Sequence, residues 1–343
     1  MVTIRDIAKA TGLSVATVSM VLNRTARRIP IPTQRLVEKT ARELGYSPNF
    51  LARSLRSKRT NSVGVLIFDI TDPYCALTLR GLEASLAEAG YMPVLADLQN
   101  KPERLRQCTQ MLMAHRVDGL VAIANPIPMS NDIGAAIRRL QIPAVVIGSK
   151  GNTKSCASVL VDNRVGTRLA VEHLYDLGHR KIAVIRGPET MIDSVPRWEG
   201  ISACAVEKGI PIHSSLVETI RGVNSTYEEG YSVTQSLLRR GKRFTALIAF
   251  DDLTAFAAIG ALTQAGICVP DDCSVIGFDD IPGAAFYNPP LTTICQYLEK
   301  QGVIAAEMMR AMLVADCDGA TRDMHRILQP SLVIRKSTAR AIA

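Results

Sequence analysis

Apolar and polar positions recur with two different periods along this chain of 343 residues. Near the amino terminus the period is helical. In TIRDIAKATGLSVATVSMVLN (3–23), Ile4, Ile7 and Ala8 share one helical face and Gly12 breaks the run. Val15, Val18, Val21 and Leu22 then form a second apolar face. Thr3, with Asp6 three residues on, fits a capping box, and Ser14 fits the cap of the second helix. Two helices this short leave their apolar faces uncovered. Residues 34–44 offer a third helix, with Leu36, Val37, Thr40, Ala41 and Leu44 predicted to face inward. The outer face of the second helix (Val15, Ala16, Thr17, Met20) is small and mostly uncharged, a surface suited to a DNA groove. A three-helix module that merely packs on the rest of the chain would show the same pattern, so charge must separate the two readings.

After the Tyr46-Ser47-Pro48-Asn49 break, NFLARSLRS (49–57) is weakly amphipathic, with Leu51 and Leu55 one turn apart. So few apolar side chains do not hold a helix alone in water. Residues 49–61 are therefore expected to be a hinge that orders when something binds it. From Val63 the register changes. Short β-branched runs at 63–68, 93–97, 119–124, 143–147, 158–162, 181–185, 245–250 and 274–278 alternate with amphipathic stretches. The latter fall at 76–90, 103–115, 164–178, 198–209, 228–240 and 253–266. Near-continuous apolar strands between helices predict parallel sheets covered on both faces, and the length predicts two doubly wound lobes. The expected architecture is an all-α helix-turn-helix domain (1–48), a hinge (49–61) and an α/β body (62–343).

Charge sharpens the first reading. Residues 1–60 carry 12 Lys and Arg against three acids, while the whole chain is only +8, so the remainder is nearly neutral. A small basic head on a neutral body is the electrostatic footprint of a nucleic-acid reader. No apolar run reaches the ~18–20 residues of a membrane span, and Met1-Val2-Thr3 leads straight into a helix rather than a secretion signal. A cytoplasmic protein is expected. The eight cysteines form no CxxC and no Cys/His pair at zinc spacing, so no metal is expected. No dinucleotide fingerprint, Walker motif or GxSxG follows any predicted strand. Neither a cofactor nor a catalytic residue is expected, which argues against an enzyme.

The ordered blocks TIRDIAKATGLSVATVSMVLN, ELGYSPNFLARSLR, VDN (161–163), LGHRKIAVIRGP (177–188), FDDLTAFAAIGAL (250–262), VPDDCSVIGFDD (269–280) and PPLTTI (289–294) resemble the lactose-repressor/galactose-repressor (LacI/GalR) family of bacterial transcription regulators. The resemblance spans essentially the whole chain. It implies a body like that of periplasmic sugar-binding proteins, with three crossings between lobes, near Asp162, Leu291 and His325. The N-lobe would then be about 62–162 and 292–325, and the C-lobe about 163–291 and 326–337. By resemblance Val15, Ala16 and Met20 face base edges, while Thr17, Asn23 and Tyr46 bond phosphates. Thr3 and Ser14, the two caps, belong to the same DNA-facing set. Leu55 matches a hinge leucine wedged into the minor groove, where it would unstack a step and kink the duplex. Two hinges side by side imply a homodimer on a near-palindromic operator. With only eight residues after Arg335 and no leucine heptad among them, a dimer is expected rather than a tetramer. Two departures matter. Met20 stands where many relatives carry a polar or basic residue, and the 23–32 turn, one residue longer than in some relatives, carries Arg27 and Arg28.

For the cleft the candidates are Tyr74, Asp162, Arg197, Trp198, Asp251, Asp252 and Asp279, each at or just after the end of a predicted strand. Carboxylates and a guanidinium that bond hydroxyls, beside an aromatic face, suit a sugar. Blander readings stand beside these. Asp251 or Asp252 can simply cap the next helix, Asp279 and Asp280 can cap a turn, Tyr74 can be packing, and Asp162 can serve the crossover. Met191, Asp193 and Cys75 occupy positions where a purine-binding relative carries Arg, Thr and Phe, which disfavours a purine. With Arg197 the one clear cation, a neutral sugar is expected over a phosphorylated one. The alternative function is a cytosolic sugar-binding or sugar-converting protein with an incidental head. For it the five histidines are too dispersed to build an acid–base pair.

Overall fold

The computed structural model describes residues 2–22, 29–46, 59–123, 137, 139–150, 156–222, 225–314 and 325–341. It divides into two compact units, Met1–Thr60 and Asn61–Ala343. Asn23, the arginines of the 23–28 turn and Leu55 of the expected hinge lie outside the described residues.

The first unit holds α1 (Ile4–Thr11), α2 (Val15–Leu22) and α3 (Ile31–Glu43). Thr3 donates both its N–H and its hydroxyl to Asp6 Oδ2 at 2.8 Å, so the start of α1 is capped as the spacing predicts. Thr17 N–H donates to Ser14 Oγ at 3.1 Å and caps α2. Gly12 ends α1 in the left-handed region, φ 68°, where a β-carbon would be strained. Six side chains make the core: Ile7, Ala8, Val18, Val21, Val37 and Ala41. The expected apolar stripes were drawn too wide. Leu36 and Leu44 of the third helix and Val15 of the second are exposed. Three short helices meet along narrow seams, and on α3 only the i, i+4 pair Val37 and Ala41 reaches its neighbours.

The second unit holds two six-stranded sheets. The first contains β1 (Ser62–Ile67), β2 (Met92–Asp97), β3 (Gly119–Ile123), β4 (Ala144–Ile147), β5 (Cys156–Val161) and β11 (His325–Leu328), in the order β11-β5-β4-β3-β1-β2. All its pairings are parallel. The second contains β6 (Ile182–Arg186), β7 (Val217–Thr219), β8 (Ala246–Ile248), β9 (Ser274–Asp279), β10 (Thr292–Cys295) and β12 (Ser331–Val333), in the order β12-β10-β9-β8-β6-β7. Only β12 runs antiparallel, against β10. Strands such as β1, β3 and β4 are buried at every residue, as a sheet covered on both faces requires.

Helices α4 (Pro73–Glu88), α6 (Asn163–Asp176), α7 (Ser194–Glu207) and α9 (Asp252–Gln264) all begin within about ten residues of a strand end, at the rim where the cleft opens. α11 (Leu298–Val314) was not among the predicted helices, because it is apolar on more than one face and shows no clean stripe. It is buried against α4, where the two backbones nearly touch. A β-carbon on Gly81 would lie 1.9 Å from the Glu299 carbonyl oxygen, and one on Gly302 would lie 2.1 Å from that of Thr78. Strands β7, β10, β11 and β12 were also missed: each is only three or four residues long and, unlike the equally short β4 and β8, is not buried throughout.

The chain passes from the first sheet to the second at Asp162. It returns after β10, which belongs to the second sheet, and so crosses at 296–297 rather than near Leu291. The last crossing falls between Leu328 and Ser331 rather than near His325, because β11 pairs with β5.

Candidate functional sites

On the first unit the outward face of α2 is what the sequence predicts. Val15 and Met20 are 48% and 42% exposed, and Ala16 is exposed between them. Thr17 is half-buried, its hydroxyl 2.8 Å from Ser14 Oγ. Tyr46 is half-buried against the core. The cations of α1 and α3, Arg5, Lys9, Arg35, Lys39 and Arg42, are all exposed. A helix that presents an apolar face, in a unit rich in exposed cations, can enter a groove and be held by phosphates.

In the second unit a cavity of about 20 Å³ lies where strand ends of the two sheets face each other. That is room for about one water. Its wall includes Asp72 and Tyr74 after β1, Met191 and Arg197 after β6, Ser225 after β7, Phe250 and Asp251 after β8, and Asp279 at the end of β9. Open α/β sheets bind ligands at such strand ends.

Arg197 organises the site. It is 4% exposed, and its Nη2 donates to Asp193 Oδ2 at 2.6 Å. Nη1 donates to the Phe250 carbonyl at 2.5 Å, and Nε to Asn163 Oδ1 at 3.0 Å. The Phe278 and Phe250 rings lie 3.8 and 4.6 Å from the guanidinium. Asp279 Oδ1 is 3.7 Å from Nη2 and accepts from the Gln296 amide. Asp279 and Asp280 have φ of 122° and 59°, a backbone few side chains adopt. Arg335 holds that turn, donating to Asp280 Oδ1 at 2.7 Å and to the Leu291 carbonyl at 2.9 Å.

Asp251 both caps α9, accepting from Thr254 N–H at 2.7 Å, and accepts from the Ser225 hydroxyl. Its neighbour Asp252 points away from the cavity. Fully buried, it accepts from Ile281 N–H at 2.9 Å and from the Thr293 hydroxyl at 2.5 Å, tying α9 to β10 and to the turn after β9. Burial pushes Asp252 up to about 8. Asp72 caps α4 through Tyr74 N–H at 2.8 Å, and burial, with the charges of Asp251 and Asp69, pushes it up to about 7. Burial also carries Asp279 well above the usual carboxylate range, against the pull of Arg197.

The structure thus gathers four of the seven cleft candidates, Tyr74, Arg197, Asp251 and Asp279. Trp198 lies on the far side of Arg197, in a second small cavity with Phe250 and Phe278, with the Arg186 guanidinium 4.8 Å from its ring. Asp162 caps α6 through Val165 N–H at 3.1 Å and lines a neighbouring groove with Lys150 and Asn163. Sequence reasoning missed Asp72, which reads as a helix cap before Pro73, and Asp193. The i, i+4 spacing of Asp193 to Arg197 was a usable sign of a pair.

Comparison with known proteins agrees with this division. Residues 3–49 match the model of the bacterial regulatory proteins of the lacI family, and residues 171–338 match a periplasmic binding protein-like domain. The HTH-type transcriptional repressor PurR of Haemophilus influenzae (strain PittEE) is 34% identical over 339 residues, 98% of both chains. The lac repressor dimer bound to operator and the anti-inducer ONPF superposes with a TM-score of 0.85 at 28% identity, covering 98% of this chain and 99% of the other. The complex of the transcriptional regulator CelR with cellobiose superposes at 0.73 with 27% identity, covering 98% and 100%.

Proposed function

The chain belongs to the lacI family of bacterial regulatory proteins, and from that premise we propose a repressor that grips operator DNA as a dimer and is controlled by a sugar in its cleft. It is a DNA-binding transcriptional repressor with a small-molecule effector. Its DNA contacts are assigned to Val15, Ala16 and Met20 at base edges. Thr17, Asn23 and Tyr46 are assigned to phosphates, and Leu55 to the minor groove. Thr3 and Ser14 fix the helices that carry them. The effector is assigned to Tyr74, Arg197, Asp251 and Asp279, with Asp162 and Trp198 at the margins. One observation carries the reading: strand ends of two sheets converge on buried hydrogen-bonding side chains, in a chain that begins with a basic helix-turn-helix.

The likeness to a cellobiose-bound regulator supports a sugar, as do carboxylates and an arginine set to bond hydroxyls. The cavity is too small for a sugar as it stands, so binding requires the lobes or side chains to move. A ligand that favours one arrangement of the lobes shifts operator affinity by its differential affinity for the two arrangements. We place the protein in the cytoplasm. Among the described residues no helix is long and apolar enough to cross a membrane.

The test is fluorescence anisotropy on duplexes from the promoter of its own gene, with and without sugars, across a salt series. Specific binding with a steep salt slope, altered by at least one sugar, is expected. Absence of specific binding at every salt would overturn the assignment. No turnover of bound sugar is expected, and a product in the same mixtures would favour a sugar-converting protein instead. The described histidines are not among the residues that line the cavity.

A further inference from the structure

The cleft is short of positive charge. Asp72 comes from one lobe and Asp251 and Asp279 from the other, and all three line the same small cavity. Arg197 is the cation in its wall, and its single charge is shared between Asp193 at 2.6 Å and Asp279 at 3.7 Å, with two further hydrogen bonds and two flanking rings, which leaves Asp72 and Asp251 without a cation in the cavity wall. Carboxylates facing each other across a low-dielectric gap either hold protons or resist closure of the lobes, unless a cation neutralises them.

A second observation is independent of the carboxylates. Tyr74 is 5% exposed and lines the cavity, and no side chain or backbone group among the described residues bonds its hydroxyl. A phenol withdrawn this far from solvent is normally paired with a protein group. Here the cavity is where a partner would meet it.

The missing partner must bring hydrogen-bonding groups for Tyr74 and a positive charge for the carboxylates. An ammonium has three donors and no acceptor, which fits carboxylates on two or three sides. A phosphate or carboxylate on the ligand would add to the repulsion. Building on the reading of this cleft as the effector site, we propose that the effector is a polyhydroxylated amine of the amino-sugar class, its ammonium seated between Asp72 of one lobe and Asp251 and Asp279 of the other. This sharpens the expectation of a neutral sugar. It also gives the ligand a reason to close the lobes, because the ammonium bridges carboxylates that otherwise repel.

The experiment compares matched pairs on the full-length protein: glucosamine with glucose, galactosamine with galactose, and mannosamine with mannose. Binding is read by calorimetry and by the change in operator affinity. An amino sugar is expected to bind at least about tenfold more tightly than its neutral partner. Asp72→Asn is expected to erase most of that preference. The same variant is expected to raise the melting temperature of the ligand-free protein at about pH 8, because asparagine still caps α4 while one repelling charge is gone. A neutral sugar that binds as well as its amine, or a lower melting temperature in Asp72→Asn, overturns the proposal and leaves the effector site standing. Silence of every compound, neutral and charged alike, counts against the effector site as well.

Discussion

In the three-helix unit the side chains assigned to base edges stand in water, Val15 at 48% and Met20 at 42% exposed, on a core of six residues. In the two-lobed body the side chains assigned to the effector are withdrawn from it, Arg197 at 4% and Asp251 at 6%. The head keeps its core and its base-facing side chains on separate residues. The body merges them, since Arg197 ties α7 to the strand end at Phe250 while facing the cavity, and Asp251 caps a helix while facing it too. Substitutions in the head should therefore divide cleanly into those that unfold and those that unbind, and substitutions in the cleft should do both at once.

The sharpest attempt to break that contrast is Arg197→Ala. It strands Asp193 and Asp279 in a buried site without their cation, a change that costs about 3–5 kcal/mol. Denaturant unfolding followed by circular dichroism should show that loss together with loss of effector response. A variant that folds normally yet ignores effector would mean that the guanidinium is a binding group only. Ile7→Ala is the counterpart in the head, removing a fully buried side chain at about 2–3 kcal/mol. Operator binding should disappear by anisotropy, while the melting transition of the body and its affinity for effector stay where they were.

The same contrast decides what could be read from sequence. In the head every determinant is local. Thr3 to Asp6, Ser14 to Thr17 and the glycine at 12 act within one turn, so caps, helices and outward face were all legible. Only the width of the apolar stripe misled, through Leu36 and Leu44. In the body the strands that are apolar throughout were legible. The returns at 296–297 and between Leu328 and Ser331 were not, because they depend on three- and four-residue strands whose pairing partners lie far away in sequence. For the site, adjacency hid the division of labour at Asp251-Asp252. Successive side chains diverge, so one faces the cavity and the other bonds Thr293 and Ile281. Asp72 was hidden for a different reason, a cap and a cavity wall being the same residue.

Met20→Ala sharpens the comparison from the binding side. Its side chain stands out from the core, so stability should change by no more than about 0.5 kcal/mol. Preference for operator over random duplex should fall by about tenfold, the scale of one weakened base contact. The slope of affinity against salt should stay as it was, because no phosphate contact is lost. A changed slope would move Met20 out of the groove and onto the backbone.

The smallest effect is one of pH, and it belongs to the body alone. His179 is buried between Thr245 and Ser274, its ring nitrogens 2.9 and 3.0 Å from their hydroxyls, and burial holds it below its ordinary value of 6.5. The unfolded chain therefore takes up that proton first. The stability His179 contributes is present above 6.5 and is lost as pH falls below it. Asp72 and Asp252 run the other way. Burial raises them from 3.8 to about 7 and about 8, so what they contribute is present below 3.8 and is lost as pH rises through those values. Ligand-free protein should accordingly melt at lower temperature at both ends of the range from about pH 5 to about pH 8. His179→Gln should flatten the acid limb and Asp72→Asn the alkaline one. Calorimetry across that range checks both, and an alkaline limb unmoved by Asp72→Asn would place the uncompensated charge elsewhere in the fold.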